Sequence, residues 1–270
     1  MGLRPQGNQV TRPKRFDKDG LRYYPIPELG RDLRSVTSIT GIIDKPAIAI
    51  WSANVAADYI KVELFDKIDR GEMTLDDIRT MDTKALVKAA KAYHKKLKTE
   101  GADKGTRVHT FVEQFVHATL AGEKDVTLNI AEDITLPVKG FMRWWADNKV
   151  VPKYTELMVW SEDGGGFAGT LDDVWKVNGR WYVVDIKTSD AIWPEMILQV
   201  AAYYHAFKQR FPKEKVKRAA FLRLDKTTGE SEWVPLTEEE LDHAYAKFKC
   251  LAMYVNLEEA WKARDKEWPS

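Results

Sequence analysis

The residues able to do chemistry are concentrated in one stretch, Gly169-Thr-Leu-Asp172-Asp173-Val-Trp-Lys-Val-Asn178-Gly179-Arg-Trp-Tyr-Val-Val-Asp185-Ile-Lys187-Thr188. Asn178-Gly179 stands between two runs rich in β-branched and aromatic residues. That is the strongest short hairpin signal, because Asn and Gly tolerate the positive φ of a type I′ turn. A two-residue turn fixes the register. Val177 then pairs with Arg180, and counting back sets Asp172 opposite Asp185, with Cβ atoms about 4.5–5.5 Å apart. Lys187 lies on the same face as Asp185, and Asp173 points to the other. Two opposed carboxylates repel, and one is normally driven to protonate. A divalent cation between them removes the conflict. Magnesium commonly takes one or two carboxylates and keeps several waters and a phosphate oxygen. An ammonium beside such a pair can orient a water and offset charge on a five-coordinate phosphate. The alternative is an exposed hairpin with solvated Asp side chains. It conflicts with the depletion of Asp in strands and with the cost of like charges directly opposite.

The elements that must position this hairpin follow from periodicity. Residues 1–34 are polar and basic (Arg4, Arg12, Lys14, Arg15, Arg22) and read as an arm with one short hairpin. Residues 35–43 suggest a strand or extended lead-in. Pro46 suits a first helical position, with a helix to about residue 65. An acidic segment with a short helix spans 66–82. Leu86, Ala90, Tyr93 and Leu97 form an amphipathic stripe over 83–99. Gly101 is expected to end that helix. A second runs over about 104–120, with Gly122 as its stop. A third covers about 136–148. The period then changes. Strands are expected at 154–160, 170–177 and 180–187, a helix at 194–209, strands at 219–225 and 232–236, and a last helix opened by a Thr237/Glu240 capping box. The expected fold class is α/β, a mixed central sheet flanked by helices. The arm (1–34) precedes a single domain (35–270), with a helical part at 46–150, a catalytic core at 104–236 and C-terminal helices at 237–265.

Gly-x-x-Asp, then Asp-x-Lys-Thr thirteen residues on, then Gln199-x-x-x-Tyr203, resembles the nuclease domain of the PD-(D/E)XK superfamily, RecB-type branch. The resemblance covers about residues 104–206. In outline, including the Ser-Val-Thr-Ser-Ile-Thr lead-in, the chain is also similar to phage-encoded RecB-like exonucleases. The resemblance implies a restriction-endonuclease-like core. It implies a DNA exonuclease that uses one or two Mg²⁺ or Mn²⁺ ions in phage DNA processing, recombination or repair, with a phage recombination protein as partner. Asp172 and Asp185 would bind metal with the carbonyl of Ile186. Lys187 would orient the attacking water, and Thr188 completes the motif. His109 would be a further ligand, as would Glu156, which corresponds to an acidic position of the family. Glu113 could bind a second metal or hold the His109 tautomer. Gln199 and Tyr203 would stand near the scissile phosphate. On the residues alone, His109 also reads as a core-edge histidine, Glu113 as a surface glutamate and Tyr203 as core. Many relatives carry four cysteines for an iron–sulfur cluster. Here Cys250 is the sole cysteine, so no such cluster is expected, nor a disulfide framework.

Composition leaves DNA as a partner open. The chain has 270 residues, 42 Lys+Arg against 41 Asp+Glu, net charge +1, 44% hydrophobic and 31% charged residues. This suits a folded protein and excludes a polycation. Between Lys84 and Arg107 stand eight basic residues (84, 88, 91, 95, 96, 98, 104, 107) and two acids (Glu100, Asp103), a local +6. Lys91, Lys95, Lys98, Lys104 and Arg107 are therefore candidate phosphate contacts. Trp144, Trp145, Trp193 and Phe167 could stack on unpaired bases. The Gly164–Gly169 run matches a dinucleotide fingerprint only formally, since it leads into a strand. It reads as a flexible loop beside the site. No apolar run spans a membrane and no signal core opens the chain, so a cytoplasmic protein is expected. A structure-specific endonuclease and a non-catalytic DNA-binding protein on the same fold remain the alternatives.

Overall fold

The computed structural model describes residues 14–123 and 130–265; Arg4 and Arg12 of the basic arm lie outside them. In order the elements are β1 (Phe16–Lys18), β2 (Leu21–Ile26), β3 (Arg31–Arg34), α1 (Val36–Thr40), α2 (Pro46–Lys61), α3 (Lys67–Asp69), α4 (Leu75–Thr80), α5 (Thr83–Leu120), α6 (Thr135–Asp147), β4 (Val151–Ser161), β5 (Phe167–Val177), β6 (Arg180–Lys187), α7 (Pro194–Arg210), β7 (Ala219–Leu224), β8 (Ser231–Leu236) and α8 (Glu238–Asp265). The chain divides into two compact units, Met1–Ile43 with Arg107–Ser270, and Asp44–Thr106.

Three sequence expectations are corrected here. Residues 16–34 are not an arm with one hairpin but a three-stranded antiparallel sheet, β1-β2-β3. Tyr24, Ile26 and Leu33 bury its inner face against Trp160 and Ala168. Residues 36–40 are helical rather than extended, because the Ser35 hydroxyl caps the turn by accepting from the Ser38 N–H at 3.0 Å. Gly101 does not end a helix, and α5 runs unbroken over 38 residues. An internal glycine costs only about 1 kcal/mol, which the Ala, Lys and Leu residues on either side outweigh.

The smaller unit is helical. The α2 ring of Tyr59 meets Tyr93 of α5 at 4.8 Å, and Trp51 meets His94 edge-on at 6.4 Å. Ala90 is its one buried hydrophobic side chain among the described residues.

The larger unit holds a five-stranded sheet in sequential order β4-β5-β6-β7-β8. Only β6 and β7 run parallel, because α7 supplies the crossover that a parallel connection needs. On one face Val174 and Val183 pack with Tyr204 and Phe207 of α7 and Phe248 of α8. On the other, Trp175, Val184 and Ile186 pack with Val108, Val112 and Phe115 of α5 and with Phe141 and Trp144 of α6. The last helix opens on the expected capping box, with Thr237 N–H donating to Glu240 at 2.7 Å and Glu240 N–H to Thr237 Oγ1 at 3.2 Å.

Alternation fails at two places: β4 carries an extra residue between Pro152 and Tyr154, and a second irregularity lies nearer the acidic residues. Leu171 and Val174 of β5 face the same core, and so do their partners Leu157 and Tyr154 of β4. A strand reverses face at every residue, so three steps should land on the opposite side. Both strands therefore slip together, between Tyr154 and Leu157 and between Leu171 and Val174. Those intervals contain Glu156, Asp172 and Asp173. Glu156 adopts φ +48 within the strand. For a glutamate this is a strained backbone, of the kind that collects at functional sites.

A second local constraint is the approach of α7 to β5. A Cβ placed on Gly169 would lie 2.5 Å from Cε1 of Tyr203, whose ring is 4% exposed. Glycine is needed there because the tyrosine ring occupies the side-chain volume. Gly169→Ala is expected to destabilise the protein by about 1–3 kcal/mol through overpacking, measured as a lowered urea midpoint with unchanged slope. The double variant with Tyr203→Phe should not recover the loss, since the clash is with the ring rather than the hydroxyl.

Candidate active site

The hairpin register is as the turn dictates: Val177 pairs with Arg180, Trp175 with Tyr182 and Asp173 with Val184. The ladder ends one pair short of Asp172 and Asp185, so the direct opposition expected from the sequence is not formed. The Asp172 side chain instead folds over the gap, and its Oδ2 accepts from the Ile186 N–H at 2.8 Å. Asp185 turns its backbone to β7, where it pairs with Phe221. The strands part here because β5 slips at Asp172 and β6 is claimed by its other neighbour.

The two carboxylates still share one site. Asp185 is 1% exposed, and the Lys187 ammonium stands 2.6 Å from its Oδ2. Neither Asp185 oxygen receives a hydrogen bond of good geometry. Burial pushes the Asp185 carboxyl up to about 6, against the pull of Lys187, and the charge of Asp172 adds to the rise. Burial also raises Asp172, opposed by Lys187 and the Ile186 N–H. Burial pulls the Lys187 ammonium down, but Asp185 and Asp172 outweigh it and the net shift is upward. His109 on α5 places Nδ1 3.9 Å from Asp172 Oδ2. Its pKa is pushed down to about 4 by burial and then by Lys187, so at neutral pH it is an uncharged imidazole, the form that ligates metals. His109 keeps 37% of its side-chain surface and Asp172 22%, although both are surrounded closely enough to be strongly desolvated. Both side chains thus keep a path to solvent within dense protein.

Other candidates divide. Glu113, one turn beyond His109, is close enough to act electrostatically on both His109 and Asp172. Glu156 acts on the buried Asp173. Asp173 pairs with Val184 at the end of the ladder; burial and then Asp172 hold its carboxyl well above the ordinary range. Tyr203 is both core and site. It is buried, accepts from Gln199 Nε2 at 3.3 Å, and is raised well above the usual phenol range by burial and then by Asp185. Thr188 leaves the ladder half-buried. Lys91, Lys95 and Lys98 are exposed and belong with Lys104 to the smaller unit. Arg107 is engaged by Asp133, so it is not the free phosphate contact that its place in the basic run suggested. Trp144 and Phe167 are core, and Trp145 packs against that core. The glycine loop is pinned to α8, with Asn256 Nδ2 donating to Gly164 O at 2.9 Å and Gly166 O at 3.0 Å. It is neither free nor part of the site.

Two residues were missed. Glu195, in the first turn of α7, acts on Lys187. The spacing Glu195, Gln199, Tyr203 at i, i+4, i+8 puts all three on one helix stripe and could have shown it. Tyr24 of β2 hydrogen-bonds Thr170 Oγ1 at 3.2 Å and acts on Tyr203; no local signal reports that contact.

Among the described residues no three His, Cys, Asp or Glu side chains converge as a closed metal cage. The donors present nonetheless fit a hard divalent cation. Asp185 offers a buried oxygen without a hydrogen-bond partner. Two carboxylates, with the rest of the coordination left to water and substrate, is the magnesium pattern.

No helix among the described residues is long and apolar enough to cross a membrane. No curated protein matches the chain significantly. A solved structure titled "Crystal structure of SSO0001" is similar over 42% of this chain and 56% of its own length, at 15% identity and a TM-score of 0.27, so the chain spans little more than half of that protein. The family model of the PD-(D/E)XK nuclease superfamily matches residues 86–268, which include Asp172, Asp185, Lys187, Gln199 and Tyr203. With more than half its length matched, the chain belongs to the PD-(D/E)XK nuclease superfamily.

Proposed function

We propose that this protein is a magnesium- or manganese-dependent deoxyribonuclease that degrades DNA from an end. The observation that carries the reading is the buried Asp185 carboxylate, which shares a cleft with Asp172 and rests on Lys187 alone. Asp172, Asp185, the Ile186 carbonyl and His109 would hold the cation. The cation would supply Lewis-acid stabilisation of charge on the phosphate. Lys187 would orient the attacking water and face the negative charge on the phosphoryl oxygens. Asp185 fixes that ammonium in place, and the Ile186 N–H fixes Asp172. His109 stays neutral and does not compete with the cation for the carboxylates.

The nucleic-acid partner is supported by the lysine row of α5. Lys84, Lys88, Lys91, Lys95 and Lys98 are exposed, and none is ion-paired among the described residues. At about 1.5 Å rise per residue the row extends for roughly 21 Å, and unneutralised ammonium groups over that length attract successive phosphates. The resemblance to phage RecB-like exonucleases favours attack at ends and a role in phage DNA processing or recombination.

Asp185→Asn and Lys187→Ala are each expected to lower cleavage of end-labelled DNA by about 10²-fold or more with Mg²⁺ or Mn²⁺. Full activity in either variant sinks the mechanism. Product ladders from linear DNA, with closed circles left intact, are expected; nicking of circles would instead make this an endonuclease. DNA binding that persists without any cutting under either metal would point to a non-catalytic protein. Replacing Lys88, Lys91 and Lys95 by Glu together should weaken DNA binding and flatten the plot of log affinity against log salt by about 0.7–0.9 per lost phosphate contact, measured by titration at several salt concentrations.

A further inference from the structure

Trp193 has no explanation in the fold. Its indole is 40% exposed. Every other described tryptophan has an aromatic or cationic partner: Trp51, Trp144, Trp145, Trp175 and Trp233 meet rings, and Trp160, Trp181 and Trp261 lie under Arg or Lys. Trp193 alone has neither. A tryptophan with two fifths of its surface in water and no ring or cation against it raises the question of what else could stack on it.

Its position narrows the answer. Trp193 is the residue before Pro194, at the start of α7. Only six residues separate Lys187 from α7, Tyr203 of that helix packs on Gly169 of β5, and Glu195 lies within electrostatic reach of Lys187, so the start of α7 stands close to the site. The next two turns carry Gln199 and Tyr203 along the same cleft. The backbone beneath the indole is pinned. Trp193 N–H contacts Met196 Sδ at 3.5 Å, and Ser189 Oγ donates to Ala191 O at 2.7 Å. Pro194 removes further freedom. The backbone that carries the ring is thus held six residues after Lys187, beside a site that the nuclease reading assigns to a phosphodiester. A flat, rigid, unpartnered π-face beside a phosphate site matches a nucleobase that is not itself paired.

We infer that Trp193 stacks on an unpaired base of the strand entering the site, so that the enzyme prefers single-stranded or frayed ends to closed duplex. This rests on the nuclease reading above. The test uses the full chain and a short single-stranded oligonucleotide, intact or with abasic terminal nucleotides. Binding is read by fluorescence anisotropy in EDTA, and cleavage is followed in parallel with Mg²⁺ or Mn²⁺. Trp193→Ala should weaken binding of the intact strand about tenfold, while Trp193→Phe, which keeps a stacking ring, retains most of it. The wild type should lose a similar factor on the abasic strand, and Trp193→Ala should lose nothing more on it. Equal binding by wild type and Trp193→Ala, or an equal loss on both strands, overturns the inference and leaves the nuclease reading intact. A wild type that shows the stacking signature but never cuts keeps the site and removes the nuclease. A wild type that binds no oligonucleotide removes both.

Discussion

The site depends on one carboxylate being kept out of water. Asp185 sits in the middle strands of the sheet with almost no exposure, and a single ammonium answers its charge. Such an arrangement is a weak source of stability. Taking both groups out of water costs several kcal/mol per ion, and their attraction does little more than offset it. The rest of the site can be understood as support for this group. The Ile186 N–H holds Asp172 near it, desolvation lowers the pKa of His109, and Glu195 offers Lys187 a third negative neighbour after Asp185 and Asp172.

Much of this was legible in the sequence, for identifiable reasons. Asn178-Gly179 permits one tight turn, and that turn sets the pairing from Val177 to Asp173 as counted. The strands, α6, α7 and the α8 capping box were legible because they depend on local periodicity and short-range hydrogen bonds. What the count could not reveal is that β4 and β5 slip together at Glu156 and Asp172, since a positive φ at a glutamate has no signature in residue type. The sheet at residues 16–34 was hidden by its charged composition; its few apolar residues are buried only through contacts with Trp160 and Ala168, far along the chain. Gly101 misled because a lone glycine weakens a helix without having to end it.

The helix behind the sheet does more than cover the core. Tyr203 fills the space left open by Gly169, and its hydroxyl end lies within electrostatic reach of Asp185, Asp172 and Tyr24. One residue therefore joins the packing of α7 to the polarity of the cleft, and Tyr24 brings the N-terminal sheet into the same cluster. The Gly-x-x-Asp spacing has a packing cause at its first residue and a chemical cause at its last.

The strand that carries Asp185, Ile186 and Lys187 is flanked by β5 on one side and β7 on the other, where all three residues lie in the parallel ladder. These residues are held to β7 by the parallel ladder and to β5 by the Asp172 side chain, so local opening there costs more than fraying at a sheet edge. Adjustment that admits a strand and releases a product is then expected of the six-residue approach to α7, residues 188–193, and of the helix ends around it, while the acidic and basic groups stay where they are.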